Sequence, residues 1–280
     1  MSSTPESQTP TPSWTHYTEP SFVEVDGLRT AYRRQGEGEA VLFLHGGGMT
    51  RMWLPFYEQL AAGHDLIAPE HPGFGDSEQG DHIQTFEDIV LHYDALMDAL
   101  GLEQVHLVGH SLGGWMAANL AVFYPRRFKS LTLLTAAGLR LADVDSIDMF
   151  RMTDEEAGEA LFNGRVGRYA EEYLIQEGEP EDAIHALTEA AAAARLIWNP
   201  RYDFRLDRRL ARVKAPALVI GAQDDRVIPT PMAARFAELI PGARLVTVEG
   251  PEGEQSGHVP HIEQPGDVAA LIATHVAANA

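Results

Sequence analysis

The sequence predicts an α/β fold: a mostly parallel central sheet with helices on both faces and an inserted helical cap. Three observations carry this. Short apolar runs alternate with helical patterns along most of the chain, the signature of strand and helix crossovers that build a parallel sheet. Near the start, Asp26-Gly27 separates two short strand-like runs, a two-residue hairpin signal that puts antiparallel strands at one edge. The alternation breaks once, at residues 138–207, where acidic helical stretches, an all-Ala run at 190–194 and scattered large apolar side chains take over.

Taken in order, residues 1–20 are expected to be a disordered tail. The first 13 are rich in Ser, Thr and Pro, without the basic start and apolar run of a secretory signal. Strands are expected at 22–25 and 28–34, then at 40–44, 66–68, 105–108, 130–134, 217–220 and 244–248. The clearest helix carries Phe86, Ile89, Val90, Tyr93, Leu96, Met97 and Leu100 on one stripe. Thr85 and Asp88 suit its capped start, and Gly101 its end. A second helix is expected at 115–123. The core is therefore 21–137 with 208–280, and the cap is 138–207. Within the cap, Met149, Phe150, Tyr173 and Trp198 are taken as lining a substrate pocket, although large apolar side chains on helices more often pack a core.

Composition removes several function classes. The 280 residues suffice for one large domain with an insertion or for two small ones. Asp and Glu number 41 against 21 Lys and Arg, a net charge of −20, which repels nucleic-acid phosphates and anionic membranes, so neither is expected as a partner. The absence of cysteine excludes disulfides, thiolate metal sites and cysteine nucleophiles. No His-x-x-x-His helix with an acidic partner accompanies the 12 histidines, so no metal site is expected. No apolar run approaches the roughly 18 residues that cross a bilayer, and a cytoplasmic location is the default expectation. Oligomeric state leaves no mark in the sequence.

The chemistry concentrates in four short segments. The apolar strand at 105–108 runs into Gly109-His110-Ser111-Leu112-Gly113 and then a helix, the strand, turn and helix setting in which a strained turn exposes a serine hydroxyl. In any other setting the same pattern is only a Gly-rich turn with an inert serine. A hydroxyl needs a base to remove its proton and an acid to orient that base, in the chain order Ser, Asp, His. His258, on a loop after the last strand, is the expected base, and His261 is read as a packing or surface histidine. Asp225, just past the strand at 217–220, is the expected acid, with Asp224 capping the turn. His45-Gly46-Gly47-Gly48 ends an early strand in a glycine cluster. There the N–H of Gly47, helped by Gly48, is expected to meet a developing oxyanion together with the N–H of Leu112. The glycine cluster fits neither of the common phosphate-binding patterns.

Together His45-Gly46-Gly47-Gly48, His71-Pro72-Gly73-Phe74-Gly75-Asp76-Ser77, the Ser111 elbow and Gly257-His258-Val259-Pro260 resemble the α/β-hydrolase superfamily over residues 22–277, in its serine esterase-like branch with a helical cap. The resemblance implies cleavage of a small-molecule carboxylic ester or lactone through an acyl-enzyme, with no cofactor. It also implies a purely structural role for the loop at 71–77. Branches with an aspartate at the elbow, the haloalkane dehalogenases and epoxide hydrolases, are excluded by Ser111. The C–C bond hydrolases of aromatic ring cleavage are an alternative; they usually carry Asn before the nucleophile and Trp after the histidine, where this chain has His110 and Val259. A ligand receptor that keeps the triad is another. Residues 249–256 form a longer segment before the histidine than is usual in the family, and no role is assigned to it.

Overall fold

The computed structural model describes residues 14–144, 147–174, 180–198 and 200–280. Strands β1 (Ser21–Val25) and β2 (Leu28–Gln35) form the opening antiparallel hairpin. Asp26 and Gly27 between them have φ of 50° and 81°, the left-handed pair that a tight hairpin demands and that Asp and Gly tolerate. The chain continues through β3 (Ala40–Leu44), α1 (Pro55–Ala61), β4 (Asp65–Pro69), α2 (Phe86–Ala99), β5 (Val105–His110), α3 (Leu112–Phe123) and β6 (Phe128–Leu134). After an insertion with helices α4 (Asp154–Leu161), α5 (Ala170–Tyr173), α6 (Pro180–Ile197) and α7 (Leu206–Arg209), it resumes with β7 (Ala217–Ala222), α8 (Pro231–Leu239), β8 (Arg244–Val248), α9 (Pro260–Glu263) and α10 (Pro265–Ala277). One eight-stranded sheet results, ordered β1-β2-β4-β3-β5-β6-β7-β8, antiparallel through β1, β2 and β4 and parallel from β4 to β8.

Both faces of the sheet are covered, because successive side chains of a strand point to opposite sides. Leu42 and Leu44 of β3 join Leu107, Tyr93 of α2 and Met116 and Leu120 of α3 in one buried layer. Val41 and Phe43 join Val108, Phe56 and Leu60 of α1 and Val268 and Ile272 of α10 in the other. Helix α2 starts as its sequence indicates: the Asp88 N–H donates to Thr85 Oγ1 at 3.2 Å, and Asp88 Oδ2 accepts the Thr85 N–H at 2.8 Å. Strand β5 runs two residues further than periodicity suggests. His110 pairs with Leu134, and the Ser111 N–H still donates to the Leu134 carbonyl at 3.0 Å. Gly109-His110 reads as turn chemistry in sequence, yet the sheet carries the chain up to the elbow itself.

The tail expected over residues 1–20 needs correction at its end, while residues 1–13 lie outside the described residues. Tyr17 bridges Met52, the Trp53 N–H donates to the His16 carbonyl at 2.8 Å, and Arg33 Nε donates to the Thr18 carbonyl at 2.7 Å. The Arg51 guanidinium lies over the rings of Trp14 and Tyr17, 5.0 and 5.7 Å from their centroids. These contacts offset the entropy lost in ordering the segment. Among the described residues, no helix is long and apolar enough to cross a membrane.

Candidate active site

The site forms where β3, β5 and β7 end on the same edge of the sheet. Ser111 sits between β5 and α3 with φ 52° and ψ −115°, a backbone state costing on the order of 1–3 kcal/mol that surrounding structure must impose. Its carbonyl accepts the N–H groups of Trp115 and Ala137 at 3.1 and 3.0 Å, which hold the turn. Gly113 permits it: a Cβ there would press on the carbonyls of Leu44 and His45, so only glycine lets α3 start this close to β3.

Ser111 Oγ lies 2.8 Å from His258 Nε2, and His258 Nδ1 lies 2.8 Å from Asp225 Oδ2. Asp225 Oδ1 accepts the N–H groups of Val227 and Ile228 at 2.9 and 2.8 Å. An ionised carboxylate only accepts, so the Nδ1 facing it carries the proton and Nε2 is left as the acceptor for the serine O–H. His258 and Asp225 are buried while Ser111 is half-buried. A base aimed at a hydroxyl, with its tautomer fixed from behind, can deprotonate that hydroxyl as it attacks a carbonyl carbon. Asp224 points elsewhere. Its Oδ2 accepts from Asn163 Nδ2 at 3.2 Å and from Arg226 at 3.3 Å.

The glycine loop lies over the elbow. A Cβ on Gly46 would fall 2.8 Å from His110 Nδ1 and 3.4 Å from Ser111 Cβ; beyond it Gly47 is exposed and Gly48 half-buried. Leu112 is the first residue of α3, so its N–H has no carbonyl one turn back to satisfy it. A set of neutral histidines that sequence reading passed over supports this loop. The His71 N–H donates to His45 Nε2 at 3.0 Å, so His45 carries its proton on Nδ1, 2.7 Å from the Gly46 carbonyl. His71 Nε2 lies 2.8 Å from the His45 carbonyl and its Nδ1 meets the Tyr93 hydroxyl. Burial pushes His45 down to about 4 and His71 well below the usual histidine range, so both stay uncharged at pH 7. The available signal is positional: β3 and β4 are parallel neighbours in register, and His45 and His71 stand one and two residues past their ends.

His110 and His261 are also buried. His110 is driven well below the usual range by burial and its histidine neighbours, and His261 is pushed by burial down to about 3. His261 packs against Phe43 and Phe56, which fits a packing residue. His110 Nε2 donates to the His258 carbonyl at 3.1 Å and Thr135 Oγ1 donates to the same oxygen at 3.0 Å. The His258 backbone is therefore pinned from the elbow side.

From the other side, the insertion pins it. The His258 N–H donates to the Leu161 carbonyl at the end of α4 at 3.0 Å. Asn163 Nδ2 reaches Asp224, and Arg165 pairs with the buried Glu263, whose Oε2 accepts the Gly257 N–H at 2.8 Å. The segment 249–256 joins this assembly. Ser256 Oγ donates to the Val248 carbonyl at 2.5 Å and accepts the Gln223 N–H at 2.9 Å; its carbonyl accepts the Asp224 N–H at 3.0 Å. Glu254 takes both guanidinium nitrogens of Arg168 at 3.0 Å. The segment thus spans from the acid loop to the insertion. On the opposite flank, Glu189 of α6 accepts from Thr50 Oγ1 at 2.5 Å and from the Gly75 N–H at 2.8 Å. The loop at 71–77 receives the insertion there, as well as packing on Glu70.

A cavity of about 590 Å³ opens between the insertion and the acid loop, with Ala137, Gly138, Trp198, Ile228, Pro229 and Met232 in its wall. Of the four residues expected to line the substrate pocket, Trp198 is in the wall of this cavity. Phe150 packs against the core and meets Trp198 at a ring separation of 5.3 Å. Met149 is half-buried in a short turn of 3₁₀ helix. Tyr173 is buried and stacks on His16 with ring centroids 5.3 Å apart; its ring faces the N-terminal segment rather than this cavity.

Residues 41–271 match the family model described as the alpha/beta hydrolase family. The chain is 32% identical over 265 residues to the dihydrolipoyllysine-residue acetyltransferase component of the acetoin cleaving system of Cupriavidus necator, covering 91% of this chain and 68% of that protein. It is also 32% identical over 240 residues to a 2-hydroxy-6-oxo-6-phenylhexa-2,4-dienoate hydrolase of Comamonas testosteroni, covering 76% of this chain and 81% of that one. The fold superposes on a serine hydrolase involved in carbazole degradation with a TM-score of 0.75 at 24% identity, over 93% of this chain and 99% of the other. The family match, together with the sheet topology, defines the class: an alpha/beta hydrolase. The chain belongs to the alpha/beta hydrolase family.

Proposed function

We propose that the protein hydrolyses a carboxylic ester or lactone through an acyl-enzyme on Ser111. The observation that carries this reading is the continuous line from Ser111 Oγ through His258 to Asp225, two contacts of 2.8 Å at a strained elbow. His258 takes the serine proton as Oγ bonds to the carbonyl carbon. The N–H groups of Gly47 and Leu112, with Gly48 beside them, receive the negative oxygen, and removing one such donor typically costs about 10² to 10³ in rate. The proton passes to the departing alcohol, and water activated by His258 releases the acid. The substrate is a small molecule and no cofactor is required. Residues 138–207 act as the cap that selects it.

A panel of short-chain p-nitrophenyl esters and lactones tests the reaction. A fluorophosphonate probe with peptide mass spectrometry tests the nucleophile, and label on Ser111 is the expected result. Label on another residue, or no turnover across the panel, overturns the reading. The role of the cap has its own test. Trp198 is 61% exposed at the cavity wall, so Trp198→Ala should change stability by less than about 1 kcal/mol while altering relative rates among acyl chains several-fold. A uniform slowing of all substrates with a fall in melting temperature would assign Trp198 to packing instead.

A second reading is favoured by the Comamonas testosteroni relative: hydrolysis of a C–C bond in a vinylogous diketone. A ring-cleavage product of that type, assayed beside the simple esters, separates the two. Where that branch places Asn and Trp, this chain has His110, turned onto the His258 carbonyl, and the buried Val259.

A further inference from the structure

The 590 Å³ cavity adjoins the Ser111 turn and the Asp225 loop through two of its wall residues. The Ala137 N–H donates to the Ser111 carbonyl at 3.0 Å, the Ile228 N–H donates to Asp225 Oδ1 at 2.8 Å, and both residues are in the cavity wall. A chain running from Ser111 past Ala137 or Ile228 would enter this space. The wall is unusual in charge for a chain with 41 acidic and 21 basic residues: its charged side chains among the described residues are Arg140, Arg201 and Asp148. Arg201 is paired with Asp148, so its charge is compensated. Arg140 pairs with no carboxylate among the described residues. Instead its Nη1 donates to the Tyr202 hydroxyl at 2.9 Å and its guanidinium lies over the Tyr202 ring, 5.1 Å from the centroid. Tyr202 is fixed in turn, since its backbone bridges Gly138. Arg140 is thus held by a neutral aromatic partner beside the cavity, leaving most of its five donors unused.

We propose that Arg140 receives a carboxylate at the far end of the substrate, so that the preferred substrate class is a hemi-ester of a dicarboxylic acid. This deepens, and rests on, the ester hydrolase reading. Among the described residues the wall carries one uncompensated cation, which matches a monoanion, and the planar guanidinium fork matches a carboxylate. The reaction stays in balance: hemi-ester and water give the dicarboxylate, the alcohol and one proton.

The test compares p-nitrophenyl hemi-esters of succinic, glutaric and adipic acids with uncharged p-nitrophenyl esters of the same chain length, in wild type, Arg140→Gln and Arg140→Lys. The wild type should favour at least one hemi-ester over its neutral counterpart, with a preference that shrinks as salt is raised. In Arg140→Gln the anionic-to-neutral ratio of kcat/KM should fall about tenfold, chiefly through KM, and Arg140→Lys should restore part of it. A ratio unmoved by Arg140→Gln, or neutral esters preferred at every length, overturns the proposal while leaving ester hydrolysis standing. Failure to cleave either set removes the ester reading and this one with it.

Discussion

Ser111→Ala is expected to lower turnover of an activated ester by roughly 10⁴ to 10⁶, the range seen when a triad nucleophile is removed elsewhere, while the protein stays folded. The local backbone explains the asymmetry. The φ of 52° at Ser111 is imposed by the Leu134, Trp115 and Ala137 backbone bonds, none of which involves the hydroxyl. The side chain itself makes one hydrogen bond, to His258. Alanine therefore loses that bond, worth about 0.5–1.5 kcal/mol, and little packing. Turnover measured beside a denaturant melt is the check: a pure variant that still turns over would end the assignment of Ser111 as nucleophile, and a collapsed melt would show that the hydroxyl is structural.

Asp225→Asn is expected to cost about 10⁴ in turnover, as the equivalent change does in another triad enzyme. The structure says how. Two backbone donors, Val227 and Ile228, converge on Asp225 Oδ1, so an asparagine must place its oxygen there and its NH₂ toward His258. That NH₂ can only donate, which forces Nδ1 to accept and moves the ring proton to Nε2, where it faces Ser111 and blocks the base. Asp224→Asn should lose less than about tenfold, because Asn163 and Arg226 can still donate to an amide oxygen. Assaying both variants on one activated ester decides between the two aspartates. A larger loss at Asp224 would reverse the assignment.

The parts of the molecule legible in sequence are those set by local chemistry. Asp26-Gly27, Thr85 with Asp88, and the glycines around Ser111 each carry a backbone requirement that few other residues meet, so the hairpin, the capped helix and the elbow follow from a few positions. Motif spacing likewise brought Ser111, Asp225 and His258 forward, because their loops all leave the same edge of a parallel sheet. What stayed hidden depends on partners far along the chain. Trp14 and Tyr17 look like tail residues until Arg51 and Met52 arrive beside them. The His45, His71 and Tyr93 set, and the hold of His110 and Thr135 on the His258 carbonyl, require the sheet register first. In the insertion, an apolar side chain can face the core, the cavity or a neighbouring segment. Periodicity does not distinguish these, and so Tyr173 and Trp198, alike in sequence terms, lie in different surroundings.

The stitching of the segment at 161–165 to the loops that carry Asp225 and His258 bears on how such an enzyme can be rebuilt. Exchanging the insertion for that of a relative looks like a modular way to acquire a new substrate, with 138–207 as the cassette. In this chain the cassette contains the acceptor for the His258 amide, the amide group that holds Asp224 and the guanidinium that neutralises Glu263. A graft cut at those boundaries would import a foreign seam beneath His258. The transplantable unit is smaller: it leaves residues 161–165 with the host, together with the 249–256 loop they meet, so that the insertion can change without disturbing the bonds that hold His258, Asp224 and Glu263.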